Sequence, residues 1–145
     1  MPARPNVEPI DKEVTFQDEE LEAKALITRT DLRGIITFAS RAYREMTRYS
    51  KEELIGKPHS IVRHPDMPAA AFKEMWDTIK QDQVWEGYVK NLRKDGKYYW
   101  VIVRIEPVYD ENGEKIGYVG LRREVERSLI SQIEQQYKKM LSYEK

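Results

Sequence analysis

The chain contains no cysteine in its 145 residues. That excludes disulfides, thiolate nucleophiles and cysteine-ligated metal sites. It has no charge surplus either: 25 Lys and Arg balance 25 Asp and Glu. A general nucleic-acid binder normally carries a basic excess, so that class is set aside. No apolar run approaches the roughly 20 residues that a membrane helix needs. The start, Met1-Pro2-Ala3-Arg4-Pro5, lacks the apolar core of a signal peptide. These absences point to a cytoplasmic protein or fragment of one domain. The only histidines are His59 and His64. No metal-ligand spacing or Ser or Cys nucleophile pattern accompanies them, and the carboxylates are spread over surface-type positions, so an enzyme is not expected.

What is present is regular. Residues 25–30 read as a strand, Asp31-Leu32-Arg33-Gly34 as a turn and residues 35–38 as the partner strand. Ser40 suits the N-cap of a short helix through Thr47. Ser50-Lys51-Glu52-Glu53 is a capping box opening a second helix, which Gly56 ends. Pro68 suits the first turn of a longer helix running to about Gln81. Within it Phe72, Met75, Trp76 and Ile79 fall at i, i+3, i+4 and i+7, one helical face. Residues 84–92 and 98–108 are strands joined at Asp95-Gly96, a strong hairpin signal. A turn at Glu111-Asn112-Gly113 leads into a last strand over 116–122. Two strands, a helical middle and three strands give an α+β fold: a five-stranded antiparallel sheet with short helices on one face.

The ends are different in character. Residues 1–24 form an N-terminal extension, proline-rich at first and then a short cap around Val14, Phe16 and Leu21. The domain proper spans 25–123. Over 124–145 Ile130, Ile133, Tyr137 and Met140 follow a 3-4-3 spacing, which makes an amphipathic helix for signalling or dimerisation. Two heptads serve equally as a weak coiled-coil seam or as a face packed on the helix's own domain. Between the short helices and the long one lies Arg63-His64-Pro65-Asp66-Met67-Pro68. Its prolines limit the backbone, and it concentrates a cation, an imidazole and a carboxylate. It is suited to holding one wall of a small-molecule pocket.

Trp85-x-Gly87 and Asn91-Leu92-Arg93-Lys94-Asp95-Gly96, in this element order, resemble a PAS domain. Residues 56–68, from Gly56-Lys57-Pro58-His59 to Asp66-Met67-Pro68, go further, as do Ala70-Ala71-Phe72, Met75-Trp76, Lys80-Gln81 and Val89-Lys90-Asn91. They are similar to the sensor domain of bacterial aerotaxis, or energy taxis, receptors. The likeness runs without a gap from 28 to 96 and more loosely through Tyr99-Trp100-Val101 and Gly117-Tyr118. It implies a flavoprotein redox sensor in signal transduction that holds FAD non-covalently. It further implies that redox state passes to a chemotaxis signalling partner, either a receptor signalling domain or a separate membrane receptor. The flavin-binding positions implied are Arg63, His64, Asp66, Trp85 and Asn91, with Ser40 where the family carries Asn. Val84 and Glu86 also depart from the family sequence.

The same residues have plainer uses. Trp85 either stacks on a flat ligand or anchors the helix to the sheet. Asn91, disfavoured in a strand, meets either a ligand edge or a neighbouring loop. Arg63 binds either the FAD pyrophosphate or Asp66, and His64 either the flavin or Asp66. Trp76 and Phe72 read as core. Trp100, Tyr98 and Ile102 share a strand face that serves a partner, a second copy or the N-terminal cap. Two alternatives stay open: a haem sensor ligated by His64 or His59, and a cofactor-free interaction module, which the Ser40 departure favours.

Overall fold

The computed structural model describes residues 7–23 and 25–144. Residues 1–6 and Lys24 of the expected N-terminal extension, and Lys145, lie outside the described residues. The first hairpin pairs β1 (Leu26–Thr30) with β2 (Ile36–Ala39). Its turn is held by Asp31, whose Oδ1 accepts from the backbone N–H groups of Arg33 and Ile35 at 2.8 and 3.0 Å. Gly34 supplies the left-handed residue the turn requires, at φ +85°.

The helical middle follows its caps. Ser40 Oγ accepts from Tyr43 N–H at 3.3 Å to start α1 (Arg41–Thr47). Both halves of the Ser50–Glu53 capping box are present at α2 (Lys51–Leu54). A single 3₁₀ turn, His59–Val62, and the connector then lead to α3 (Ala69–Lys80). Pro68 is the N-cap of α3 and not part of its first turn.

The last three strands are β3 (Trp85–Leu92), β4 (Tyr98–Tyr109) and β5 (Lys115–Glu124). The five strands run in the order β2-β1-β5-β4-β3, every neighbour antiparallel. β3 is therefore an edge strand. The connector runs along it, with a backbone bridge between Arg63 and Asn91, so the open edge is covered.

Strand alternation separates two apolar layers. Tyr99, Val101 and Val103 of β4 face the helices and join the main core with Leu26, Tyr43, Met46 and Leu54. Trp100 faces the other way. There α4 (Arg127–Ser142) lies on the sheet, with Ile130, Ile133 and Tyr137 against Trp100, Tyr98, Tyr88 and Ile102. Of the two uses open to the C-terminal seam, the structure shows packing on its own domain. The Trp100 face is covered by α4, and not by the N-terminal cap as one expectation had it. β4 extends past the end of β5 at Tyr98, where residues 12–14 border it, through Tyr98 N–H to Lys12 O and Val14 N–H to Tyr98 O. The cap is pinned farther along, where Glu19 pairs with both Arg48 and the buried Arg93.

Candidate functional site

A cavity of about 200 Å³ lies between α3, the 3₁₀ turn and the inner face of the sheet. One side is apolar. Phe72, Met75, Trp76 and Ile79 of α3 face Val89, Val103 and Ile105 of the strands. The helical stripe that reads as core is therefore a cavity wall. Arg33 of the first hairpin turn, whose side chain is 79% exposed, also lines the cavity.

Trp85 closes the wall from β3, and its position depends on Gly87. The indole lies back over the strand, so a Cβ at residue 87 would sit 2.3 Å from its ring. The Nε1–H donates to Glu74 Oε1 of α3 at 3.1 Å, which fixes the ring between helix and sheet. The Trp-x-Gly motif is thus a packing rule: only glycine leaves room for the ring.

The other end of the cavity is polar. Arg122 of β5 enters it with its guanidinium folded over Gly120, where a Cβ would come within 3.0 Å of Nη2. It is only 5% exposed. Nη1 donates to Thr28 Oγ1 at 2.9 Å and to Gly120 O at 3.3 Å, and Nη2 meets His59 Nε2 at 3.1 Å. Thr28 Oγ1 is 2.9 Å from the same His59 nitrogen. A guanidinium can only donate, so His59 Nε2 is an acceptor and the imidazole is neutral. Burial, then the Arg122 charge, push the His59 pKa down to about 3. Among the described residues no carboxylate pairs with Arg122. A buried cation with no counter-charge is costly unless something of opposite polarity meets it.

Of the six flavin-binding candidates from the sequence, Arg63, Trp85 and Asn91 line the cavity. The Arg63 guanidinium lies over the Phe72 ring, 4.7 Å from its centroid. Asn91 is buried, with Nδ2 donating to Tyr99 Oη at 3.4 Å. His64, Asp66 and Ser40 do not line it. His64 is buried edge-on to Tyr98, its Nδ1 accepting from Asp66 N–H at 3.0 Å. Burial and the Lys90 charge lower its pKa against the opposing pull of Asp66. The Asp66 side chain is 60% exposed and pairs with Lys90 Nζ at 2.9 Å. Burial acts upward on its pKa, and the Lys90 hydrogen bond and charge outweigh it, for a net lowering. Ser40 Oγ is committed to backbone, accepting from Ile27 N–H at 3.1 Å as well as from Tyr43.

Arg122 and Thr28 were not singled out by sequence, and His59 only as a haem ligand. The available signal was an arginine on the face of β5 that also carries Tyr118 and Gly120. His59 Nε2 is engaged by Arg122 and Thr28, and an iron bond there would displace both. His64 lies off the cavity. The geometry therefore disfavours haem ligation.

An antiparallel sheet cupped by short helices around a small cavity, with a C-terminal helix on the opposite face, is the architecture of a sensor module. The family described as PAS fold matches residues 36–122, and the chain belongs to that family. The matched domain is of a non-catalytic, sensor type. It is homologous to the sensor domain of the aerotaxis receptor of Escherichia coli K12, with 41% identity over 126 residues covering 86% of this chain and 25% of the receptor. The nitrogen fixation regulatory protein of Klebsiella pneumoniae is 33% identical over 104 residues, covering 72% and 21%. The crystal structure of a PAS domain from Colwellia psychrerythraea matches with a TM-score of 0.64 and 28% identity, over 71% of this chain and 87% of that one. The chain spans about a quarter or less of the curated relatives it matches. Among the described residues no helix is long and apolar enough to cross a membrane.

Proposed function

We propose that this chain is a cytoplasmic redox sensor that holds FAD non-covalently in the cavity and passes its redox state to a chemotaxis signalling partner. The observation that carries the reading is Arg122: a buried guanidinium with no carboxylate among the described residues, at the polar end of an otherwise largely apolar cavity. A flavin ring has apolar faces and a polar edge of carbonyls and nitrogens, which matches that division. Pockets for whole drug-sized ligands are larger, about 300–1,000 Å³. A cavity of about 200 Å³ would take the ring system alone, and the remainder of a dinucleotide would have to lie outside it.

Bound FAD would supply a centre that takes up electrons and gains negative charge or a proton at its edge. The chain's own groups answer that change. Arg122 stabilises negative charge in a dry site, where electrostatic interactions are strong. Neutral His59 keeps Arg122 oriented. Asn91 offers an amide with both donor and acceptor. Trp85, Trp76 and Phe72 exclude water. Arg122 is two residues before Glu124, the end of β5, and Glu124 accepts from Phe16 N–H of the N-terminal cap at 3.2 Å. A shift of Arg122 therefore bears on the root of α4 and on the cap. From there a receptor signalling domain, a separate membrane receptor or a second copy of the chain would read it.

The test is the absorption spectrum of the purified protein, followed by analysis of the supernatant after heating. Paired bands near ~370 and ~450 nm, properties of the cofactor itself, with FAD released, are expected. A protein that stays colourless after incubation with FAD overturns the proposal in favour of a cofactor-free module. The Ser40 departure no longer favours that module, since Ser40 caps α1 and does not line the cavity.

A further inference from the structure

Helix α3 begins without a cap of its own. Pro68, its N-cap, makes no side-chain hydrogen bond to the first turn. Those N–H groups are bound from a distant part of the chain. Glu144 Oε1 accepts from Ala69 N–H at 3.0 Å, and Oε2 accepts from Ala70 N–H at 3.2 Å. The carboxylate also sits at the positive end of the α3 dipole.

Helix α4 is held unevenly along its length. Its first part is fixed by apolar burial: Leu129, Ile130, Ile133 and Tyr137 join the cluster on the outer sheet face. Arg127 pairs with Glu13, and Tyr137 Oη donates to Tyr88 O at 2.6 Å. Beyond Tyr137 no residue of α4 belongs to either buried cluster. In residues 138–144, where only Met140 and Leu141 are half-buried and the rest exposed, the tie to the rest of the fold is the Glu144 carboxylate, with the Lys138 charge acting on Asp66 of the connector. The same α3 that receives Glu144 presents Phe72, Met75, Trp76 and Ile79 to the cavity. One helix therefore touches the ligand space with its side and holds the tip of α4 with its end.

We propose that Glu144 is a clasp that ties the order of the α4 tip to occupancy of the cavity. A ligand seated against α3 steadies its first turn, and with it the clasp. An empty cavity lets both loosen, while the root of α4 stays docked. The clasp opens the tip only, with residues near Tyr137 as the hinge. A segment held by a few exposed polar contacts is the part of a fold that opens first, and the ligand shifts it through its differential affinity for the ordered state. The occupancy arm rests on the flavin reading above, because FAD is the probe.

The test is amide hydrogen exchange on the full chain, wild type and Glu144→Ala, with and without FAD. Glu144 is exposed, so the variant is expected to fold. Without ligand, Glu144→Ala should speed exchange in residues 69–73 and 138–143 alike by about five- to tenfold, the size expected for loss of a helix cap. Exchange in β4 should not change. FAD should slow both segments in the wild type but only the α3 segment in Glu144→Ala. Unchanged exchange in the variant overturns the clasp, as does a change confined to 138–143, since a shared contact must register on both partners. Slowing of the tip by FAD in Glu144→Ala as large as in the wild type overturns the coupling. A protein that takes up no FAD overturns the flavin reading and the occupancy arm with it, while the ligand-free pair still decides the clasp.

Discussion

Replacing Gly87 by alanine tests the packing of Trp85 and gives opposite signs in two backgrounds. In the wild type the new Cβ would sit 2.3 Å from one indole carbon and 2.4 Å from another. No real contact is that short, and the ring is pinned on its other side by the Glu74 hydrogen bond. Either the strand shifts, at the roughly 1–3 kcal/mol typical of overpacking, or the indole leaves the wall. The latter approaches the roughly 3–5 kcal/mol of Trp→Ala. With Trp85→Ala already in place, the clash is gone. Gly87 does not have the left-handed backbone that only glycine tolerates easily, so alanine there should stabilise by roughly 0.4–1 kcal/mol through the unfolded chain. Urea unfolding of the four proteins of this double-mutant cycle measures the coupling, which should exceed about 1.5 kcal/mol. Equal effects of Gly87→Ala in both backgrounds, within about 0.5 kcal/mol, would refute the account of the Trp-x-Gly motif.

Other outcomes follow from the same contacts. His59 titrates near 3 in the folded state against an ordinary 6.5, and the His64 pKa is lowered too. Their contribution is therefore complete above about pH 6.5 and is lost as pH falls toward the folded values, because the unfolded chain binds protons first. Urea midpoints between pH 7.5 and 4.5 should fall steeply in the wild type and less in His59→Gln; equal slopes would contradict the burial of a neutral His59. Ser40→Ala should cost about 1 kcal/mol as a lost N-cap, whereas Ser40→Asn, an equally good cap, should cost little; thermal unfolding of both variants checks this. Glu19→Gln strips the buried Arg93 of one of its two carboxylates, the other being Asp95. It should destabilise by about 1–3 kcal/mol and speed proteolysis of the N-terminal cap; unchanged proteolysis would mean that the cap is held elsewhere.

The sheet and helices were legible because each is announced locally. Asp95-Gly96, the Ser50–Glu53 box and the Ser40 cap all act within four residues of themselves. The site was legible only in part, because it is assembled across the chain. The stripe Phe72, Met75, Trp76 and Ile79 tells which face of α3 turns inward, but not that space remains in front of it. The polar run 63–68 suggested a shared pocket. A connector lying along an edge strand turns successive side chains to different sides, so Arg63 reaches the cavity while His64 and Asp66 meet Tyr98 and Lys90. Arg122 depends on Thr28 and His59, which lie 94 and 63 residues away, and no local pattern encodes such partners. The seam of α4 suited two surfaces equally, and only the presence of Trp100 on the outer sheet face decided between them.

The central claim is that the buried, carboxylate-free Arg122 meets the edge of a redox-active flavin. The most direct measurement is a spectroelectrochemical titration of the FAD-loaded protein, wild type against Arg122→Gln. If Arg122 stabilises the charge gained on reduction, its loss should lower the midpoint potential by ~60 mV or more, a tenfold change for a one-electron couple. An unchanged potential with FAD bound in both proteins would contradict the claim.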